Sequence, residues 1–401
     1  MNSVKKSMAR ESSLSGRAIT TTRSWLSRQR EIWLDYVIIF GMFAVIYAAI
    51  AKFNSLYYHD SAHYLARALW YSGMSQQDAF DVVYRMHVAN GWEPTATIQG
   101  LFDWGLVAPR VVLPFISVPF IWVFGTIGLA VTTGIVTFLL IFSLYKFLSG
   151  RYGRAAAVVA VVLMQSSFLI MVFCVGMLTE SLSALWGVAT LAAAFRYQRD
   201  LRVRWVVVMV SATILSAFTR QATLIVAGAF VVAWWMSRFT ARSARWGIPA
   251  LAVASTSVIT QVIQTWFFPF SQGDQYMHMT GTDSLWGAVL ATPSLAKHIL
   301  LQELSSYARH DQALLVFIGL AVISMLVFWR RTESHLLLGA LLATALYTIT
   351  NGNSTDFRYA VPGIVFFLAS ISVLVVHLAS RLRTDTGIAG TASDPYESFA
   401  A

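Results

Sequence analysis

Apolar runs follow one another along most of this chain, at about 34–53, 126–148, 155–174, 180–195, 205–219, 221–236, 247–268, 312–329, 335–350 and 359–379. A helix needs about 20 apolar residues to cross the hydrocarbon of a bilayer. Several runs are shorter, but their succession predicts an all-α polytopic membrane protein with about ten transmembrane helices. Two long segments interrupt the series, residues 54–125 and 269–311. Within the first, 61–71 and 75–89 are helix-compatible, whereas 105–124 is apolar but carries Pro109, Pro114 and Pro119. That stretch reads as interfacial or re-entrant, and the first long loop is expected to form a cleft on the outer face.

Composition agrees with a protein solvated by lipid. The 401 residues are 57% hydrophobic and only 12% charged, with a mean hydropathy of +0.62, far from the balance of a soluble domain. The net charge of +10 does not point to nucleic acid, because the basic residues fall in short clusters between apolar runs rather than in an aromatic-interleaved stripe. The one cysteine, Cys174, lies in an apolar run and leaves no internal disulfide or CxxC pair to consider.

Charge then orients the helices. The run 34–53 is too long for the core of a cleaved signal and reads as a signal anchor, which leaves the basic tail 1–33 in the cytoplasm. Alternating from there places Arg151 with Arg154, Arg196 to Arg204, Arg238 to Arg245, Arg330 with Arg331, and Arg381 with Arg383 on that same side, as the positive-inside rule requires. A crossing at 105–124 would invert every later cluster. The transmembrane domain is therefore expected over 34–380, followed by a disordered cytoplasmic tail, 381–401, rich in Gly, Ser, Thr and Asp. The opposite face collects Asp60, Asp78, Asp81, Glu93, Asp103, Glu180, Asp274, Asp283, Glu303, Asp311 and Asp356, with His59, His63, His87, His278, His298 and His310. Ionisable chemistry is expected on this outer face, and a bacterial inner membrane suits the composition.

The usual markers of nucleotide and hydrolase chemistry are missing: there is no GxxxxGK, no GxGxxG after a strand, no HExxH and no GxSxG. His59 and His63 stand four apart without a third ligand, so no metal site is assigned. The sequon Asn353 Ser354 Thr355 sits against two spans and reads as a chance match. Residues 269–311 read as a solvated amphipathic cap.

Three positions draw attention. Asp60, in Tyr57 Tyr58 His59 Asp60 Ser61 Ala62 His63 Tyr64, shares a helical stripe with His63, Tyr64 and Arg67. It is either a catalytic acid or an N-cap for a helix starting at Ser61, and the two roles can coexist. Arg220 interrupts an apolar stretch, where an unpartnered cation costs at least about 2.5 kcal/mol, so it should sit at a hairpin tip facing the outer cleft. Arg358 opens the last span on the same side. Two arginines suit a phosphate; they equally suit snorkelling to headgroups or pairing with Glu180 or Asp356.

The combination resembles the GT-C superfamily of polyprenyl-phosphate-sugar-dependent membrane glycosyltransferases. His59 Asp60 Ser61 Ala62 His63 Tyr64 resembles its first-loop acidic motif, and Pro119 Phe120 Ile121 Trp122 Val123 Phe124 Gly125 its interfacial segment ending in Phe-Gly. Leu178 Thr179 Glu180 Ser181 Leu182 is similar to its acidic-serine helix start, Phe218 Thr219 Arg220 to its Thr-Arg hairpin, and Arg358 Tyr359 with Pro362 to its Arg-Tyr-x-x-Pro element. The likeness covers about residues 34 to 380, with Gln221 and Ser61 departing from the common pattern. It implies an inverting transfer from a polyprenyl-phosphate sugar to an acceptor hydroxyl, on a lipid-linked or other envelope glycan, at the periplasmic face. By the same resemblance Asp60 is the general base, Arg220 and Arg358 hold the donor phosphate, and Glu180, His59, His63, Tyr58, Tyr64 and Tyr359 contact sugar or acceptor. The donor carries its own leaving group, so no tightly bound cofactor is implied, and Ser61 stands where many relatives carry a second acid for a divalent cation. Other readings are an envelope-glycan polymerase or ligase, which would lean on arginine and histidine without an essential first-loop acid, and a flippase, which would place charge at mid-membrane in two similar halves.

Overall fold

A computed structural model describes residues 30–93, 97–239 and 245–385; the expected tails lie outside these residues, except for 30–33 and 381–385. Every regular element among the described residues is helical. In chain order they are α1 (Arg30–Phe53), α2 (Ser61–Tyr71), α3 (Gln76–Ala89), α4 (Ile98–Phe102), α5 (Val112–Phe124), α6 (Gly128–Tyr152), α7 (Arg154–Ser166), α8 (Phe168–Val175), α9 (Glu180–Asp200), α10 (Val203–Ala217), α11 (Thr223–Ser237), α12 (Gly247–Phe267), α13 (Gln272–Thr280), α14 (Leu285–His310), α15 (Gln312–Val327), α16 (Thr332–Asn351) and α17 (Ile364–Asp385), with 3-10 turns at Gly125–Ile127 and Arg358–Gly363.

Four helical stretches are long and apolar enough to cross a membrane: Arg30–Phe53, Val112–Tyr152, Gly247–Phe267 and Arg358–Leu382. A fifth candidate joins α7 and α8, which meet at 83°. The apolar helices α10, α11 and α15 are shorter; 15 residues rise only about 22 Å against a hydrocarbon core of about 30 Å. The chain is thus an all-helical protein with the long apolar helices of an integral membrane protein, four or five of them of crossing length among the described residues.

One expected run is broken, and two neighbouring stretches fold onto each other, for reasons visible in their residues. The run at 155–174 breaks at Ser167, whose Oγ accepts from the Ile170 N–H (3.2 Å) and donates to Asp311 (2.6 Å). Asp311 also accepts from the Leu169 N–H (2.8 Å), so the free end of α8 is satisfied inside the protein. Val112–Tyr152 is no straight rod either. Gly125 adopts φ +58°, and the chain folds back so tightly that a Cβ on Gly128 would lie 2.4 Å from the Phe120 carbonyl carbon; only glycine fits. The 13 residues of α5 therefore lie beside α6 and against α2.

The bundle has one large apolar core, to which α1, α6 to α9, α11 and α15 to α17 contribute. Residues 54–125 add a second core on top of it, in which Leu65, Leu69, Leu101, Phe102, Leu113 and Ile121 pack on Met177, Leu178 and Leu182. Fully removing a leucine such as Leu65 or Leu113 from water contributes roughly 1.5–3 kcal/mol. Where helices touch inside the bundle, small residues set the distance: a Cβ on Gly339 would meet the Gly228 carbonyl oxygen at 2.3 Å, joining α16 closely to α11.

Charged side chains separate into two ends. At one, Arg154 pairs with Asp35 (2.8 Å) and Glu31 (2.6 Å), and Arg151 with Glu333 (3.2 Å), uniting the start of α1, the α6–α7 turn and the start of α16. Asp60, Glu180, Arg220 and Arg358 sit at the opposite helix ends, removed from that cluster by about the 36 Å length of a 24-residue α1.

Candidate functional site

The backbone first brings the pieces together. The Met177 N–H donates to the Leu56 carbonyl (2.8 Å), which lays the segment after α1 along the start of α9. The Tyr58 N–H donates to Ser61 Oγ (2.8 Å) and closes the turn that carries Asp60. Asp60 occupies the N-terminal position of α2 with helical dihedrals (φ −67°, ψ −18°) and accepts no capping hydrogen bond. The capping explanation for this residue is therefore replaced by a different one: its carboxylate turns away from α2.

It turns toward Arg358. Arg358 Nη2 donates to Asp60 Oδ2 (2.7 Å), and Arg358 Nε donates to Glu180 Oε1. The same Glu180 oxygen accepts from Arg220 Nη1 (2.7 Å). The result is a line of alternating charge, Asp60, Arg358, Glu180, Arg220. Its inner half is sealed, with Glu180 at 0% and Arg220 at 1% exposure, while the Arg358 and Asp60 side chains keep 19% and 22%. Burying ions this deeply is tolerable only because each has an oppositely charged partner at hydrogen-bonding distance. Tyr359 lies under the Arg220 guanidinium (5.1 Å to the ring centroid) and Phe173 under that of Arg358 (6.0 Å).

Arg358 is aimed by a strained turn. Asp356 and Phe357 take φ of +51° and +71°, a region that side-chain-bearing residues rarely occupy. Glu303, from α14, holds the turn by accepting from the Thr355 N–H (2.6 Å), the Phe357 N–H (3.0 Å) and Ser354 Oγ (3.1 Å), and Tyr307 OH donates to it as well. Glu303 departs from the expectation of a solvated amphipathic cap over 269–311, because this carboxylate is on the buried side (8% exposed). Nothing in its sequence neighbourhood announces this, apart from a tyrosine four residues on.

The remaining predicted residues divide. Burial raises the Asp60 carboxyl, but Arg358, His59 and Arg110 outweigh it and hold the group well below the usual carboxylate range. His59 is half exposed and lifted above its ordinary value by the Asp60 carboxylate (Nδ1 to Oδ1 3.8 Å). Its ring lies 5.1 Å from His87 and 5.9 Å from Trp92. Tyr57 OH is 3.1 Å from His87 Nδ1, while the buried His87 Nε2 has no partner. Tyr58 packs near Phe173, with its phenol pushed up to about 12 by burial. His63 and Tyr64 do not join an open polar stripe. His63 is buried, donates from Nδ1 to the Leu101 carbonyl (2.9 Å), and is pushed down to about 4, first by burial, so it is neutral at physiological pH. Tyr64 is fully buried and accepts from Arg110 Nη1 (2.8 Å). Arg110 was not singled out in the sequence because it sits among prolines in an apolar stretch.

Chemically, the network offers an ionised carboxylate beside a partly open guanidinium. It suits accepting a proton from, or orienting, a hydroxyl while a neighbouring anion is held. No group of three or more His, Cys, Asp or Glu side chains with metal-ligand geometry occurs among the described residues. A shallow groove along α14, lined by His298, Gln302, Ser306 and Arg309, contains none of the network residues. Compared with protein-family models and with curated protein sequences, the chain matches none.

Proposed function

We propose that this protein is an integral membrane glycosyltransferase that moves a sugar from a polyprenyl-phosphate donor to an acceptor hydroxyl, with inversion at the anomeric carbon. The observation that carries the reading is the Asp60–Arg358–Glu180–Arg220 line at one end of the bundle, in which the only two partly open members are a carboxylate and a guanidinium. In the proposed step Asp60 accepts the acceptor's proton, the acceptor oxygen bonds to the anomeric carbon, and the bond to the phosphate oxygen breaks, so that the lipid phosphate leaves with the electron pair. Arg358 stabilises the departing oxygen. Glu180 fixes both arginines rather than contacting sugar, since it is fully buried between them.

The Asp60–Arg358 contact adds a coupling. While paired, Asp60 is ionised but a weak base; when a donor phosphate draws Arg358 away, the carboxylate loses its main charge partner and its affinity for a proton rises. Donor binding thus prepares the base. The same reading includes ten membrane crossings with the short helices counted, both termini and the basic end in the cytoplasm, the network at the periplasmic face of a bacterial inner membrane, and a lipid-linked or envelope glycan as acceptor.

The test is sugar transfer by purified protein from a polyprenyl-phosphate sugar. Asp60→Asn is nearly isosteric and cannot act as a base, and it should lower turnover by about 10²- to 10⁴-fold. Transfer at the wild-type rate by this variant would end the assignment, and a polymerase or ligase that works without a first-loop acid would replace it.

A further inference from the structure

Helix α14 has two apolar sides, and the protein uses only one of them. Ala288, Ile299, Glu303 and Tyr307 share its buried side, and the helix packs on α13, α15 and α16. Helical spacing puts Trp286, Val289, Leu290, Leu300, Leu301 and Leu304 on the opposite side, each between 45% and 70% exposed. This stripe runs for about 27 Å, and nothing among the described residues covers it. Lys297 lies in its middle, also exposed. Beside it a polar strip, His298, Gln302, Ser305 and Arg309, lines the shallow groove along the helix. α14 is not among the helices apolar enough to cross a membrane, yet its outer side is an apolar patch of the kind that marks a contact surface.

The helix is held at the level where the bundle ends. Near its start, the Ala288 carbonyl accepts from Tyr276 OH of α13 (3.1 Å), and α13 rests on the end of α16, with Met279 standing where a Cβ on Gly352 would be. Further along, Glu303 holds the N–H groups of Thr355 and Phe357. Asp311, which closes α14, accepts from the Leu314 N–H (2.9 Å) and so opens α15. Ties along its length keep α14 from standing out into solvent. The end of α12 reaches the same level, because Gln264 donates to the Ala217 carbonyl beside the Arg220 turn (2.9 Å). Exposed apolar side chains continue there, Trp266 and Phe267 at the end of α12 and Val316 near the start of α15.

We infer that α14 is a membrane-seated helix, its stripe from Trp286 to Leu304 lying in the lipid leaflet at the Asp60 end of the bundle and Lys297 reaching the headgroup phosphates. Lys297 selects lipid over other occupants. Against another protein, or a second copy of this chain, it would be a cation inside an apolar interface without a partner. At a headgroup boundary its stem lies along the stripe and its ammonium stays wet. That is the arrangement of a helix in the interface with its apolar side sunk about 5–10 Å. The inference stands on this helix and not on the transfer reaction. It also gives the lipid a route to the charge network: the seated side and Glu303, which holds the Arg358 turn, are opposite sides of one helix, so the bilayer fixes the position from which Glu303 acts.

The experiment places single cysteines, labelled with nitrobenzoxadiazole, in a Cys174→Ser background and reads quenching in liposomes of phosphatidylethanolamine and phosphatidylglycerol. Leu290→Cys and Leu301→Cys probe the stripe, His298→Cys and Gln302→Cys the polar strip; all four side chains are exposed, so the substitutions leave the packed side intact. A nitroxide near the headgroup end of the lipid acyl chain should remove most of the fluorescence at positions 290 and 301, and more of it than a nitroxide at the chain terminus. Aqueous iodide on both sides of the membrane should quench 298 and 302 instead. Iodide quenching at all four positions overturns the seat, since the stripe then faces water. Equal quenching of all four by the chain-terminal nitroxide overturns it in the other direction, with α14 immersed in hydrocarbon. Shielding of 290 and 301 from both quenchers overturns it as well, and a disulfide between two Leu301→Cys chains would then name a second copy as the cover.

Discussion

Glu180 shows how one residue can decide what its neighbours are able to do. A carboxylate at 0% exposure that accepts from both Arg220 and Arg358 is a counter-ion first, and the two arginines that a sequence reading assigns to phosphate are already neutralised by it. Arg220→Met should therefore cost about 3–5 kcal/mol, the usual penalty for breaking a buried pair from one side. Adding Glu180→Gln should return part of that loss, since the orphaned charge is then gone. Thermal unfolding of the two single variants and the double variant checks this, and a double variant as unstable as the sum of its parents would mean that the pair is not coupled. The positions of Asp60, Arg220 and Arg358 were legible from isolated ionisable residues in apolar sequence. Their partnership was not, because Asp60 and Arg358 are 298 residues apart.

At the level of elements, the turn over 352–358 matters more than any helix. Two consecutive left-handed residues, Asp356 and Phe357, aim Arg358, and a single carboxylate from α14 satisfies the N–H groups that this strain exposes. Glu303→Gln keeps the shape but weakens a charge-assisted acceptor. On the proposed transfer reaction, we expect the apparent KM for donor to rise about 10-fold while the unfolding midpoint falls by only a few degrees. Transfer kinetics at varied donor concentration check it, and an unchanged KM would show that Arg358 does not depend on the turn. Helix positions at 61–71, 75–89, 247–268 and 312–329 were readable because apolar patterning is a local signal. The break at Ser167 was not, since the acceptor that stabilises it, Asp311, comes from a distant helix end.

For the molecule as a whole, the separation of a basic end from the Asp60 end leads to a labelling test. In a Cys174→Ser background, Gln77→Cys on exposed α3 should react with a membrane-impermeant thiol reagent added to intact cells, and Gly150→Cys near Arg151 should react only after the membrane is opened. Equal labelling of both in intact cells would defeat the one-faced arrangement. By itself, the order of apolar and charged residues determined an all-helical chain suited to a bilayer and which polar residues lacked a bland explanation; these depend on local hydrophobicity and charge. Only the tertiary structure decided that α5 folds back beside α6, that Asp60 is not a cap and that Glu303 aims Arg358. Each of those depends on which groups meet across long stretches of chain, and in a low-dielectric interior the meeting partner sets whether a charge is spent on structure or left available to a ligand.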